Sequence, residues 1–471
     1  MLTAKPLTAA ASSVTEVLDA QPAELRQGEP STSGRADHAA QHPSIARAAA
    51  TLSAGEVVAI PTETVYGLAA NALSAEAVGR VYAAKNRPAD NPLIIHISSL
   101  EMLASLYPPG WSLPPVYEPL VRDLWPGPLT ILVPRSPLVP DAVTCGLPTM
   151  AVRMPAHPVA LAVIAACGFP LAAPSANSSG RPSPTIARHV FADLGGRIPL
   201  IIDGGPCTCG VESTVLDGLR SPPAILRPGG VTREQLLGYP GLGALQVYRR
   251  DFVDAALEAA PTTPGMKYRH YSPTAPVLLL DPNPQPPTAA SSSNGHQPSL
   301  SAGQRHQQAG QHSGTAATAA EVEAPAADLA ARLRHGAEAL LAELAAAEPP
   351  AASDTADGGG ARRFALLRTS LDDVASGPQA PSAGSAPGGH ANGNGQATDA
   401  APAPALPYEV YEYVLGHVSR PADVAAELFA ALRHVDEQGV EAIVVEGVQE
   451  GGAGAAVMNR LRKAASRVVH V

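Results

Sequence analysis

Along residues 44–240, short apolar runs alternate with stretches whose apolar positions recur at helical spacing. The runs at 57–60, 93–97, 129–133, 150–154, 171–173, 200–202, 214–216 and 224–226 are three to five residues long, and most are rich in Val, Ile and Leu. Such runs predict buried strands. Helices are predicted between several of them. Residues 44–55 (SIARAAATLSAG) read as one, with Ser44 as N-cap and Gly55 as its stop. Ser74 caps a second over 74–85, and 157–167 form a third, apolar one. Ser183-Pro184 opens a fourth, a capping hydroxyl followed by proline at the first helical position, closed by Gly195-Gly196. The last four strands lack a helix between every pair. The pattern therefore predicts an α/β domain on a mixed sheet rather than a simple doubly wound one.

A second pattern begins at residue 277. Strands at 277–280, 364–368, 409–415 and 442–446 are interleaved with helices at 329–344, 421–435 and 454–465. That β–α–β order predicts a smaller Rossmann-like α/β domain. Two tracts interrupt it, near 283–325 and 375–406, dominated by Pro, Ser, Gln, Gly and Ala. Such composition buries too little apolar area to offset its ordering entropy. The histidines His296, His306 and His312 in the first tract read as solvated coil. The domain reading is a disordered tail over 1–43, a first α/β domain over 44–245, a linker over 246–276, and the Rossmann-like domain over 277–471 with its two inserts. The turn at 450–457 (EGGAGAAV) lacks a full Gly-x-Gly-x-x-Gly and reads as a tight turn into a helix.

Composition narrows the function classes. Of 471 residues, 45% are apolar, enough for real cores, while 42 Gly, 49 Pro and only 4% aromatics fit a chain that packs in part. A formal net charge of −10 argues against whole-protein attraction to nucleic acid or an anionic membrane. Cys145, Cys167, Cys207 and Cys209 form no CxxC and no zinc-ligand spacing, which fits reduced thiols in an intracellular compartment. No run of eighteen apolar residues predicts a transmembrane helix. Residues 1–15 hold no acids and are rich in Ala, Ser and Thr, a faint likeness to a transit peptide, but Glu16, Asp19, Glu24 and Glu29 follow at once. The expected location is cytoplasmic, with mitochondrion or plastid as the alternative.

The candidate chemistry sits where strands end. The 57–60 strand runs into a turn carrying Thr62, Glu63 and Thr64. About twenty residues later Lys85-x-Arg87 leads through Asn91-Pro92 into the next strand, 93–97. Hydroxyls at one strand end and two close cations before the next suit a polyanion such as a nucleoside triphosphate. There is no Walker loop. Chemistry on such a polyanion needs cations on the phosphates and donors that orient the reacting group. Lys85, Arg87, Arg153 and Arg227 are the candidate cations; Thr149, Ser175, Ser183 and Ser213 are the hydroxyls; Thr64, Asn91 and His96 are further polar groups at strand ends. Blander roles compete with each. Arg153 lies inside an apolar strand and needs an anion, either a ligand's or a structural carboxylate. Lys85 and Arg87 equally suit a solvated helix end, Ser183 a helix cap, and His96 a core position.

These residues also carry a family resemblance. AIPTETVYGL (59–68), AKNRPADNPL (84–93), TMAVRMP (149–155), APSANSSGRPSPT (173–185), DGG (203–205), VESTV (211–215) and LRPGG (226–230) occur in that order, followed by PGMKYRHYSP (264–273). Together they resemble the signature of the YrdC-like family, the threonylcarbamoyl-AMP synthases, over roughly 44–240, and the last segment resembles the linker of the longer, two-domain form. The resemblance implies a YrdC-like twisted mixed sheet whose flanking helices form a concave cleft. It implies an enzyme, a nucleotidyltransferase that converts ATP, L-threonine and bicarbonate to L-threonylcarbamoyl-AMP and pyrophosphate for threonylcarbamoyladenosine in tRNA. Carried across by motif, Arg87, Asn91, Thr149, Ser175, Ser183, Arg227 and Tyr271 would contact ATP. Thr64, His96, Arg153, Ala173 and Ser213 would hold L-threonine, Lys85 would meet phosphate, and Lys85, Arg87 and Arg153 would be catalytic. Tyr268 or Tyr271 would fold over the pocket as a lid. No dedicated metal ligands are visible, so Mg²⁺ would arrive on the nucleotide. The implied partner is the downstream tRNA threonylcarbamoyl-transfer machinery, and no membrane. The alternative from another class is a non-catalytic module binding tRNA or double-stranded RNA, which the acidic charge disfavours. A carbamoyl-transfer maturation factor would need upstream zinc-finger cysteines that are missing here. A regulatory protein with a dead pocket would have lost polar residues that are present.

Overall fold

The computed structural model describes residues 14–21, 42–248, 270–283, 319–347, 361–370, 377–379, 382–383 and 408–471. In chain order the first sheet is built from β1 (Glu16–Asp19), β2 (Val58–Ile60), β3 (Gly67–Asn71), β4 (Ile94–His96), β5 (Leu129–Pro134), β6 (Thr149–Arg153), β7 (Leu171–Ala172), β8 (Leu200–Asp203), β9 (Thr214–Asp217), β10 (Ala224–Arg227) and β11 (Gln246–Val247). Their spatial order is β1-β8-β2-β3-β7-β4-β6-β5-β9-β10-β11. Parallel and antiparallel neighbours are intermixed: β4 pairs β6 in parallel and β7 antiparallel. The helices Pro43–Ser53 and Pro158–Cys167 pack on one face over Ile45, Leu52, Val163 and Ile202. The other face carries the larger core, including Tyr66, Ile95, Ile131 and Val152.

The second sheet contains β12 (Val277–Asp281), β13 (Arg362–Arg368), β14 (Gly377–Pro378), β15 (Ser382–Ala383), β16 (Tyr408–Val414), β17 (Ala442–Glu446) and β18 (Ala465–His470). Strands β16-β13-β17-β12-β18 are parallel throughout, and β14 and β15 pair antiparallel with β16. The helix Ala319–Ala346 covers one face, and Pro421–Asp436 and Gly454–Ala464 cover the other. This is the Rossmann-like arrangement expected. Its core is continuous with the first body: Val65, Val211 and Tyr271 pack in one cluster with Leu428, Phe429 and Leu461.

Several local expectations change. Residues 16–19, expected in a disordered tail, form β1, parallel to β8. The Thr15 hydroxyl donates to the Ile198 carbonyl and accepts the Gly196 N–H, and Ala20 is fully buried. Backbone pairing at a sheet edge, which composition does not report, orders this segment. Ser44 is not an N-cap. The helix starts at Pro43, and the Ser44 hydroxyl donates 2.6 Å to the Asp19 carbonyl, tying helix to strand. Ser183 is not a cap either. The helix is Ala187–Leu194, and the hydroxyl donates 2.7 Å to Glu212. The linker boundary moves, because Gln246 and Val247 pair with β10. Strand β3 (GLAAN), not expected from the sequence, holds no β-branched residue. Strand β18 begins where the last helix was expected to end. Helix Ala319–Ala346 starts inside the first expected insert, and β14 and β15 lie inside the second. Most of the tail, residues 249–269 of the linker with Tyr268, and most of both inserts with His296, His306 and His312 lie outside the described residues.

Candidate active site

The turn after β2 is built by its own hydroxyls. Thr62 Oγ1 donates to the Val65 carbonyl at 2.6 Å, accepts the N–H groups of Thr64 and Val65, and lies 2.8 Å from Thr64 Oγ1. Tyr66 anchors the turn from behind, donating to the Gly205 carbonyl and Asp203 in the Asp-Gly-Gly segment. Thr64 therefore faces β6 across a fixed gap. Arg153, at the end of β6, fills it: Nη1 donates to Thr64 Oγ1 at 2.8 Å, Nε to the Gly127 carbonyl at 3.1 Å, and Nη2 lies 2.5 Å from Glu63 Oε1. The anion that Arg153 needed is thus an internal carboxylate.

A solvent-open cleft lies beside this pair. Of the expected residues, Thr64, Arg87, His96, Arg153, Ala173, Ser175, Ser213, Arg227 and Tyr271 line it. Arg227 leaves β10 and donates to the Ser213 carbonyl and hydroxyl, while Ser213 Oγ lies 2.7 Å from Thr130 Oγ1. His96 Nδ1 lies 3.1 Å from the Ile94 carbonyl. Burial first, and then the Arg153 charge, hold its imidazole down to about 3, so it is neutral near pH 7. Tyr271 adopts a left-handed backbone (φ 64°) and is buried with its ring 5.2 Å from Phe429 of the second body.

Four expected residues stand outside the wall. Lys85 is 1% exposed, and its Nζ donates to the carbonyls of Ser175 and Asn177. It braces the Ser175 loop from behind, and burial pushes its pKa well below the usual lysine value. Asn91 is buried one turn from Arg87, whose Nη2 donates to the Asn91 carbonyl at 3.2 Å. Thr149 starts β6 opposite Pro134, at the far end from Arg153. Ser183 meets Glu212. Among the lining residues to which sequence assigned no role are Thr62, Gly67, Glu212 and His270. Glu212 is the informative one. It accepts from Ser183 and from Arg460, and Arg460 lies 248 positions away. An acid beside a short strand was the available signal; its partner was not visible.

Three arginines, the ionised Glu212 and neutral polar groups thus line the cleft, and the arginines favour an anionic ligand. A Sua5/YciO/YrdC domain model, described as telomere recombination, matches residues 50–229. A model described as threonylcarbamoyl-AMP synthase, C-terminal domain, matches residues 231–466. A threonylcarbamoyl-AMP synthase of Pyrococcus abyssi is 37% identical over 429 residues, covering 90% of this chain and 95% of that relative. The chain belongs to the threonylcarbamoyl-AMP synthase family. The family's Schizosaccharomyces pombe member is 54% identical over 244 residues, which is 47% of this chain and 60% of that relative. The crystal structure of P. abyssi Sua5 complexed with L-threonine matches with a TM-score of 0.62 at 34% identity, covering 97% of this chain and 100% of the other. The two-domain form of the family expected from eight short segments therefore extends over nearly the whole chain.

Proposed function

We propose that this cleft makes L-threonylcarbamoyl-AMP from L-threonine, bicarbonate and ATP. The reading rests on the convergence of Arg87, Arg153 and Arg227 on one cleft, in a chain similar to a relative crystallised with L-threonine. The Arg153 guanidinium, braced by Thr64 and Gly127, takes the amino acid's carboxylate as Glu63 gives way. Thr64 and Ser213 flank it, and neutral His96 and Ala173 shape the floor. Arg87 and Arg227 offset the triphosphate charge, with Ser175 on a loop braced by Lys85. Asn91, through its carbonyl on Arg87, and Ser183, on Glu212, act one layer behind. Mg²⁺ carried by the nucleotide would add to that neutralisation.

The chemistry needs no covalent nucleophile from the chain. The threonine amine attacks bicarbonate carbon, forming the carbamate and releasing water. A carbamate oxygen then attacks the α-phosphorus. The bond from that phosphorus to the bridging oxygen breaks, and pyrophosphate leaves with the electron pair. The cationic wall stabilises charge that builds on the phosphoryl oxygens. The adenylate then passes to downstream tRNA threonylcarbamoyl-transfer machinery. Calorimetric titration with L-threonine tests the first step. Saturable binding by the parent chain and its loss in Arg153→Ala are expected; equal binding by both would remove Arg153 from the site.

A further inference from the structure

Arg460, from the helix Gly454–Ala464 of the second body, is a fully buried arginine whose guanidinium leaves its own domain. Nε and Nη2 both reach Glu212 Oε2, at 3.0 and 2.9 Å. Nη1 donates to the Pro228 carbonyl, one residue after Arg227. The Arg460 Cζ lies 5.8 Å from the Tyr271 ring centroid. The other Glu212 oxygen accepts the Ser183 hydroxyl. One guanidinium therefore joins the segment carrying Glu212 and Ser213 to the one carrying Arg227, and Glu212, Ser213, Arg227 and Tyr271 all line the cleft.

We propose that Arg460 is a positioning residue for the reaction, so that the second domain completes one corner of the active site rather than merely docking beside it. The inference rests on the reading of the cleft given above. A planar fork suits this task, because it can hold a carboxylate and a backbone carbonyl in fixed relation, which a single ammonium cannot. The carboxylate is itself kept charged. Burial acts to raise its pKa, but Arg460, Arg227 and Ser183 outweigh that and bring Glu212 down to about 2. Without the guanidinium, Glu212 would stay buried beside Ser183 with less compensation, and the Ser213–Arg227 corner would lose its outer brace.

A docking role predicts something different, and the molecule supplies the control. Arg433 of the helix Pro421–Asp436 makes a second buried clasp, 2.8 Å from Asp193 and donating to the Pro182 carbonyl. Asp193 and Arg433 do not line the cleft. The test compares full-length Arg460→Met and Arg433→Met for adenylate formation, with ATP varied, well below each unfolding midpoint. Positioning by Arg460 predicts a loss in kcat/KM for ATP of about 10- to 100-fold, the range seen when an orienting partner is removed. Arg433→Met is expected to keep the parent's kinetics while losing stability. Equal kinetics in both variants, or losses that track stability alone, would overturn the proposal. If Arg460→Met does not fold, Arg460→Lys decides the matter: a folded but slowed variant supports positioning, and full activity contradicts it. If the parent chain forms no adenylate, the reading of the cleft fails and this inference fails with it. If the parent is active and Arg460→Met matches it, this inference alone fails.

Discussion

Arg153 is held by three groups on two segments: Glu63 and Thr64 of one turn, and the Gly127 carbonyl. An ammonium at the same place could satisfy only part of that set and would present no planar fork to an incoming carboxylate. Arg153→Lys is therefore expected to raise the KM for L-threonine, by the equivalent of about 1.5–3 kcal/mol for a lost charge-assisted hydrogen bond. Steady-state kinetics with threonine varied would check this, and an unchanged KM would refute it. A second residue-scale consequence concerns pH. His96 and His189 are both buried, and burial, aided by nearby arginines, brings each down to about 3. The unfolded chain takes up these protons near pH 6.5, whereas the folded chain stays neutral until about 3. Stability from this source is thus complete above 6.5 and falls as pH drops toward 3. The slope is about 1.4 kcal/mol per pH unit for each histidine. Urea unfolding at pH 6.5, 6.0 and 5.5 should show the decline, and His189→Asn should flatten it.

At the level of elements, the strongly apolar strands and the Ser74-capped helix were legible because length, branching and caps are local properties. What escaped was set by distant partners. Strand β1 exists because β8 offers an edge; the Ser44 and Ser183 hydroxyls, good caps on local grounds, turn instead to Asp19 and Glu212. Strand β3 is too poor in branched residues to announce itself. The same limit applies to the site. Motifs identified nine residues that do line the cleft, yet the motif lysine, Lys85, stands behind the wall, a placement that only the fold of the Ser175 loop decides. Gly210 illustrates the role of distance in a testable way. It has φ 72°, and a Cβ there would lie 2.4 Å from the Ala426 carbonyl oxygen of the second body. Gly180, also left-handed at φ 89°, faces open space. Gly180→Ala should cost about 1–2 kcal/mol from the backbone alone. Gly210→Ala should cost more, since the two bodies must also separate locally. Equal losses in denaturant unfolding would show that the contact is not tight.

Across the whole molecule, the two sheets are joined by a shared apolar cluster and by buried arginines that cross between them. Breaking a buried ion pair by removing one partner is expensive because the other charge stays desolvated. Arg433→Met should therefore destabilise the full chain by about 3 kcal/mol, with Arg181, 3.6 Å from Asp193, limiting the loss. A single cooperative unfolding transition shifted downward is the expected calorimetric result; two separated transitions would mean that the bodies are not coupled in this way. Among the described residues no helix is long and apolar enough to cross a membrane. The sequence marked both bodies and the family they belong to, but not the clasp between them, because Arg460 and Glu212 meet only in the folded chain.

On the reading proposed above, the arginine-lined cleft performs an adenylate-forming condensation. The purified full-length chain is incubated with ATP, Mg²⁺ and bicarbonate, with and without L-threonine, and products are detected by rapid chromatography and mass measurement. Threonylcarbamoyl-AMP and an equal amount of pyrophosphate are expected only when threonine and bicarbonate are both present, and neither product from Arg153→Ala. Failure of the parent chain to bind either ATP or L-threonine, or nucleotide turnover indifferent to threonine and bicarbonate with no adenylate formed, would contradict that reading.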